Sequence, residues 1–179
     1  MALTHRWKLD GDANDSVGSN NGTITGSPTT QSGHPAPNAT TNCYGFANNT
    51  ADRIAVTDAA ALEPAAISIA VWVKPQSIVT PATQLYVSKW WDGTNRAYEL
   101  GWELTSLGFY FDVATDGSNT DHIASDGMLA PTVGNWYFLV GTFDGSTVKI
   151  FVNAVVGATT SSISGNVRSI ADAALPGAV

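Results

Sequence analysis

The amino-acid sequence predicts an all-β protein with the architecture of a two-sheet antiparallel β-sandwich. The stretch NWYFLVGTFDGSTVKIFVN, residues 135–153, contains two alternating runs joined by Asp144-Gly145-Ser146. Two such runs around an Asp-Gly turn are a strong signal for a β-hairpin. The first run is apolar on both faces, so we expect it to lie between two layers. Gly, Thr, Ser and Asn abound while only 13% of residues are charged, a composition typical of secreted or displayed β proteins.

The remaining strands follow from period-two alternation and turn residues. Residues 10–41 form a polar, turn-rich stretch with weak strand character at 23–25, and residues 59–63 are predicted to form one short helical turn. We predict strands, in chain order, at 3–9, 53–57, 66–74, 84–90, 98–104, 108–113, 135–144, 147–153 and 155–159.

Two of these elements carry more specific expectations. The strand at 66–74 has its aliphatic residues on one face and Trp72 on the other, which predicts a central strand. The turn between the predicted strands at 147–153 and 155–159 is less certain from the sequence. It contains Asn153-Ala154, and alanine tolerates a positive φ poorly. The tryptophans that lie in strand patterns are expected in the core; they are Trp7, Trp72, Trp102 and Trp136.

Composition and charge exclude several classes of function. A chain of 179 residues fits one domain with a sizeable core. The net charge of -7 and the absence of a basic patch argue against nucleic acid as a partner. Cys43 is the only cysteine, which excludes an intramolecular disulfide. No apolar run approaches a membrane span, and Met1 leads into the first predicted strand without a visible signal peptide.

Four segments in order resemble the laminin-G-like domains of the concanavalin A-like superfamily. They are LTHRWKLDGDANDSVGSNNGT at 3–23, YGFANNTADRIAVTD at 44–58, SIAVWVKP at 68–75 and the hairpin at 135–153. The resemblance implies a two-sheet jelly roll, often glycan-binding or adhesive and often holding a structural calcium ion. It covers about residues 3–160, so we expect a sandwich domain at 1–160 and a tail, or the start of a closing segment, at 161–179.

The tail departs from the family pattern. The family normally adds a closing strand there, and SSISGNVRSIADAALPGAV does not match it. A sandwich without that strand leaves an open edge. We therefore expect the edge beside the first strand to be covered by a longer C-terminus or by another subunit, and the 179-residue chain to be oligomeric or prone to aggregation.

An oxygen-rich turn is a candidate calcium site. Asp10, Asp12, Asn14 and Asp15 supply the carboxylate and amide oxygens that Ca²⁺ prefers. The resemblance implies a structural calcium held by Asp15, nearby carbonyl groups and Asp52. The alternative is a solvated turn in which Asp and Asn favour the bends.

Two glutamates on one predicted strand are candidate catalytic residues. Period two places Glu99, Gly101 and Glu103 on one face. Related glucanases carry E-x-D-x-E on such a strand, but here the central position is glycine. The two Cα atoms would lie about 13 Å apart, and no carboxylate between them would separate their pKa values. We expect two solvent-facing glutamates and no catalysis.

A pair of tryptophans at the end of a strand is the candidate ligand site. Neighbouring strand residues point in opposite directions, so either Trp90 or Trp91 can face solvent. An exposed indole beside Asp92, Asn95 and Arg96 would form a platform for a sugar ring with polar groups for its hydroxyls. The alternative is that both rings pack structurally.

The sequence thus predicts a non-catalytic recognition module of lectin type. The expected partner is a glycan, and the expected place is a virion surface, a cell surface or the extracellular space. One alternative is a structural or decoration protein of a large assembly, whose partners are neighbouring protein subunits. A second alternative is a degenerate or active glycanase centred on Glu99 and Glu103.

Overall fold

The computed structural model describes two compact units of the chain. It describes residues 2–33, 42–47, 51–78, 83–90, 96–104, 107–115, 121–127, 130–161 and 165–168. The first unit comprises residues 1–59 with 172–179, and the second comprises residues 60–171.

The regular secondary structure of the described residues is strand apart from one short helical turn. A single 3₁₀ turn at Ala60–Leu62 confirms the predicted helical turn. The strands are β1 (Gly22–Thr25), β2 (Thr29–Ser32), β3 (Asn42–Gly45), β4 (Arg53–Val56), β5 (Ile67–Val73), β6 (Thr83–Trp90), β7 (Arg96–Glu103), β8 (Gly108–Ala114), β9 (Asp121–Ser125), β10 (Tyr137–Phe143), β11 (Thr147–Val152) and β12 (Val155–Ser161).

The first unit contains two short antiparallel pairs, β1 with β4 and β2 with β3. The weak strand character at 23–25 is confirmed by β1, whereas β2 lies in the stretch that was predicted to be turn-rich. The predicted strand at 3–9 is wrong, because the structure gives only an isolated bridge between Trp7 and Asp15 there. Leu9 has a φ of 59°, which ends any extended run.

One four-stranded sheet of the second unit has the order β12-β11-β10-β5. The predicted hairpin is confirmed, with Leu139 opposite Val152 and Phe143 opposite Val148. Its turn is held by Asp144 Oδ1, which accepts hydrogen bonds from Ser146 N at 2.9 Å and Thr147 N at 2.8 Å.

The turn between β11 and β12 forms despite its alanine. Asn153 and Ala154 have φ values of 51° and 68°, the left-handed pair that a two-residue hairpin requires. Asn153 also binds back to the sheet, since its Oδ1 accepts from Phe138 N at 2.9 Å and its N donates to Phe138 O at 2.8 Å. These two bonds offset part of the strain at Ala154.

The other four-stranded sheet has the order β6-β7-β8-β9 and packs face to face against the first. Phe109 of β8 meets Tyr137 of β10 with ring centroids 5.0 Å apart. A Cβ added at Gly141 would lie 2.4 Å from the Phe111 ring, so the glycine lets the two layers approach closely. Every residue of β8 is buried, and β9 is a strand that the sequence did not reveal. The predicted antiparallel β-sandwich is therefore confirmed.

Part of the segment predicted as a tail packs on this sandwich. β12 extends to Ser161. Beyond it Val167, only 2% exposed, forms a bridge with Thr115, and Arg168 N donates to Ala114 O at 2.9 Å. The chain therefore supplies its own contact at this end of β8.

Candidate functional site

The outer face of β5, β10, β11 and β12 is rich in aromatic residues, and we call it the aromatic face. Packing against the other sheet covers alternate residues of β5, β10 and β11, which leaves the others pointing outward. Its members are Ser68, Ala70, Trp72, Phe138, Val140, Thr142, Lys149, Phe151 and Val156, continued beyond the strand ends by Lys74 and Trp136.

Trp72 is the most exposed ring of the aromatic face. Its residue surface is 41% exposed, although its place in a strand pattern predicted a core position. It lies directly opposite Phe138, with ring centroids 4.9 Å apart. In the next row the ammonium of Lys74 lies 5.9 Å from the centre of the Trp136 ring, within the range of a cation–π contact.

The core prediction for Trp72 is wrong because Trp72 lies on the outer face of β5, away from the face that packs against the other sheet. In the described sheet β5 also pairs with β10 alone, so the prediction of a central strand is wrong there. Trp102, in contrast, is fully buried as predicted. The alternation of β5 already placed Trp72 and Lys74 on the face away from Ile67 and Val73, but it did not show whether that face is covered.

The outer face of the second sheet carries the two predicted glutamates, and we call it the acidic face. Tyr98, Leu100 and Trp102 are buried in the core, which confirms that the intervening residues share the other face. The register of β7 and β8 adds two side chains that the sequence analysis did not connect with the glutamates. Asp112 lies opposite Glu99, and Tyr110 lies opposite Gly101.

Gly101 is explained by Tyr110 rather than by a lost carboxylate. A Cβ at position 101 would lie 3.0 Å from the Tyr110 hydroxyl and 2.8 Å from Gln84 O. The phenol therefore occupies the space above the glycine, and its hydroxyl donates a hydrogen bond to Glu99 Oε1. Glu103 Oε2 accepts from Leu107 N at 3.2 Å.

The electrostatics of the acidic face keep Tyr110 protonated. Burial raises the pKa of the Tyr110 hydroxyl far above its usual range, and the neighbouring charges of Glu99, Asp112 and Glu103 raise it further. Tyr110 and Asp112 are only 4% and 5% exposed, so solvent hardly reaches these two residues of the acidic face. Such a phenol serves as a hydrogen-bond donor and is unsuited to act as a nucleophile.

Asp15 of the candidate calcium turn is the centre of a buried hydrogen-bond network, and we call it the hub of that network. Its side chain is fully buried and accepts from His5 Nδ1 at 2.7 Å. Backbone amides of Arg6, Val17, Gly18 and Asn20 donate to the same carboxylate at 2.9–3.2 Å. Five donors exceed the roughly four lone-pair sites of a carboxylate, so these oxygens are occupied by the protein itself.

The pKa of Asp15 follows from this network. Burial alone would raise it, but the hydrogen bonds from Arg6, His5, Gly18 and Val17 outweigh burial and hold the pKa well below its usual range. Asp15 is therefore a charged structural anchor of the first unit at neutral pH.

The other predicted calcium ligands have separate partners. Asp12 Oδ1 accepts from Asn14 N at 2.9 Å, a local turn contact. Asp52 binds Ser27 N at 2.8 Å and Ala47 N at 3.1 Å. Within the residues described, no three His, Cys, Asp or Glu side chains come close enough to hold a metal ion, Asp10 included. Calcium binding by this set stays a prediction.

The predicted tryptophan site lies mostly outside the described residues. Trp91, Asp92 and Asn95 are not described, and for Trp90 and Arg96 only the backbone is. These two residues pair at the end of the β6–β7 hairpin, beyond the pair formed by Ser88 and Glu99. The predicted loop thus follows the strands of the acidic face.

In the described part of the chain, no helix is long and apolar enough to cross a membrane.

Most of the chain is similar to known proteins. The model of a laminin-G-type family, described as the concanavalin A-like lectin/glucanases superfamily, matches residues 48–175. Thirteen chains of solved structures also match. One is domain 4 of AbnA, an extracellular GH43 arabinanase from Geobacillus stearothermophilus, in complex with arabinotriose. That match has a TM-score of 0.67 and 20% identity, and it covers 92% of this chain and 77% of the other. A search of curated protein sequences found no match.

Proposed function

We propose that this chain, which belongs to the concanavalin A-like lectin/glucanases superfamily, is a non-catalytic module that recognises glycans. The exposed indole of Trp72 carries the proposal. Burying a large aromatic ring favours folding, so a tryptophan residue left 41% exposed on a sheet face is available for a ligand. Sugar rings present an apolar face that stacks on such an indole while their hydroxyls bind polar neighbours.

The structural neighbour supports the same class of ligand. Domain 4 of the arabinanase has this fold and was solved with arabinotriose. Because the two chains share only 20% identity, the likeness supports the scaffold, and the sugar that this chain binds is part of the proposal.

The arrangement of the acidic face favours binding over hydrolysis. A retaining glycosidase needs two carboxyl groups about 5 Å apart, one protonated and one ionised. Glu99 accepts from Tyr110 and Glu103 accepts from the Leu107 amide, so each is held by a different donor. A glycanase activity is therefore only an alternative, and the one observation that favours it is that Glu99 and Glu103 lie on the same face of β7.

Calorimetric titration with linear neutral oligosaccharides, including arabino-oligosaccharides, tests the proposed function. We expect saturable binding with no release of reducing ends on prolonged incubation. Heat changes indistinguishable from buffer across the panel would refute glycan recognition. Release of reducing ends that a Glu99→Gln, Glu103→Gln variant abolishes would instead show a glycanase.

A structural role in a large assembly is the second candidate. It is favoured by the start of β12, where Val155 and Val156 are 69% and 52% exposed. Adjacent exposed valines suit contact with a neighbouring protein subunit. A rise in mass with concentration in light scattering, reduced by Val155→Ser, would favour this role. In the glycan-binding role the module would be displayed on a virion or cell surface or act in the extracellular space.

A further inference from the structure

We infer that the aromatic face is a binding site for neutral glycans, in which Trp72 stacks on a sugar ring and Lys74 beside Trp136 donates to hydroxyls. This inference rests on the proposed function and adds the place and the charge class of the ligand. It is carried by three features of the face: the geometry of its rings, its charge and its size.

The rings form two consecutive rows along the strands. Trp72 and Phe138 oppose each other, and Trp136 lies two residues before Phe138 beside Lys74. Two strand residues span about 7 Å, so both rows fall within reach of one short oligosaccharide. An indole buries roughly 200 Å² when fully covered, so the exposed part of Trp72 offers roughly 80 Å² for stacking.

Phe138 positions the Trp72 ring. The two rings are in contact across the β5–β10 pair and are tilted by 34°, which restricts the indole on one side. A ring already restrained by packing loses less rotamer freedom when a ligand covers it. The face therefore offers a stacking group that is partly preorganised.

The charge of the face fits an uncharged ligand. Among its described residues there is no carboxylate, and its cations are Lys74 and Lys149. The Asp144 carboxylate offsets part of the Lys149 charge; hydrogen bonds from Ser146 and Thr147 lower the pKa of Asp144, and the charge of Lys149 lowers it further. Lys74 is thus the main local charge, and it disfavours cationic sugars. The net charge of -7 on the whole chain disfavours polyanionic glycans.

The size of the face favours a glycan over a protein partner. Four strands of six or seven residues, spaced about 4.8 Å apart, span a plane of roughly 450 Å². A stable protein interface needs about 800 Å² on each side. Short oligosaccharides need only the two aromatic rows, so the available surface suits them better.

The test compares Trp72→Ala, Trp72→Phe and Lys74→Met with a matched control. Leu85→Ala is the control, because Leu85 is also 41% exposed but lies on β6 of the other sheet. Each folded variant, checked by circular dichroism, is titrated with arabino-oligosaccharides, galacturonate oligomers and chitosan oligomers in a calorimeter. We expect the neutral ligand to bind best, with affinity lowered at least fivefold by Trp72→Ala, less by Trp72→Phe and Lys74→Met, and unchanged by Leu85→Ala.

The outcomes separate this inference from the proposed function. Wild-type affinity in Trp72→Ala would overturn the inference and leave glycan recognition standing at another surface. Tighter binding of galacturonate or chitosan oligomers than of the neutral ligand would overturn the inference that the ligand is uncharged. No binding in the whole panel would overturn both. Concentration-dependent association in light scattering that Trp72→Ala abolishes would show a protein interface and also overturn the inference.

Discussion

Replacing Asp15 by asparagine should destabilise the first unit, because its buried carboxylate accepts five hydrogen bonds. Asp15 Oδ1 accepts from the amides of Arg6, Val17 and Gly18, and Oδ2 accepts from His5 and Asn20 N. An asparagine carbonyl can retain the three bonds at the Oδ1 position. Its NH₂ group would then face Asn20 N, placing one donor against another.

The magnitude follows from what is lost. A buried amide left without an acceptor costs about 1–3 kcal/mol. The three bonds that remain lose their charge assistance, which is roughly half their strength. We therefore expect the free energy of unfolding to fall by about 3 kcal/mol in Asp15→Asn. Asp12→Asn is the control, because exposed Asp12 would still accept from Asn14 N and should change stability by less than about 0.5 kcal/mol.

Urea unfolding followed by circular dichroism measures the difference, and hydrogen exchange at the Gly18 amide reports it locally. The pH dependence adds an independent check. The folded-state pKa of Asp15 lies below its unfolded value of about 3.9, so its contribution is present above that pH and is lost as the pH falls through the folded pKa. Asp15→Asn should lack that part of the acid sensitivity. If the urea midpoint of Asp15→Asn equals that of Asp12→Asn within error at pH 7, Asp15 does not act as the hub of this network.

The remaining predictions concern the core, catalysis and calcium. Gly141→Ala should lower the free energy of unfolding by about 1–3 kcal/mol in urea titrations, because its Cβ would overlap the Phe111 ring; stability equal to that of wild type would contradict the close layer packing. Wild type and the Glu99→Gln, Glu103→Gln variant should release equally few reducing ends from β-glucans and arabinan, and a higher rate in wild type would contradict a non-catalytic role. Calcium should raise the melting temperature relative to EDTA if the turn at residues 10–15 binds it, and an unchanged midpoint at saturating calcium would remove that prediction.

The sandwich could be predicted because its strongest signals are local. The hairpin at 135–153 combines alternation with an Asp-Gly turn, and both properties lie within one short segment. The strand predicted at 3–9 failed because Leu9 adopts a positive φ, and the polar groups of this segment serve the Asp15 network instead of a ladder. That network depends on contacts up to ten residues apart, which alternation does not reveal.

The candidate sites were less predictable because they depend on register and on covering layers. Alternation within β7 correctly predicted that Glu99 and Glu103 share one face. It could not predict that Tyr110 of the neighbouring strand lies over Gly101. The alternation of β5 likewise separated Trp72 from the aliphatic core. Whether a second layer covers that face is a tertiary property, so the burial of Trp72 could not be predicted from its own strand.

The most direct test of glycan recognition is a nuclear magnetic resonance titration of the tryptophan indole signals. The chain has six tryptophans, and Trp72→Phe identifies the signal of Trp72 by its disappearance. On addition of a neutral arabino-oligosaccharide, the Trp72 indole signal should shift saturably while that of fully buried Trp102 stays in place. A spectrum unchanged at saturating oligosaccharide would contradict glycan recognition, and shifts that spare Trp72 would move the site away from the aromatic face.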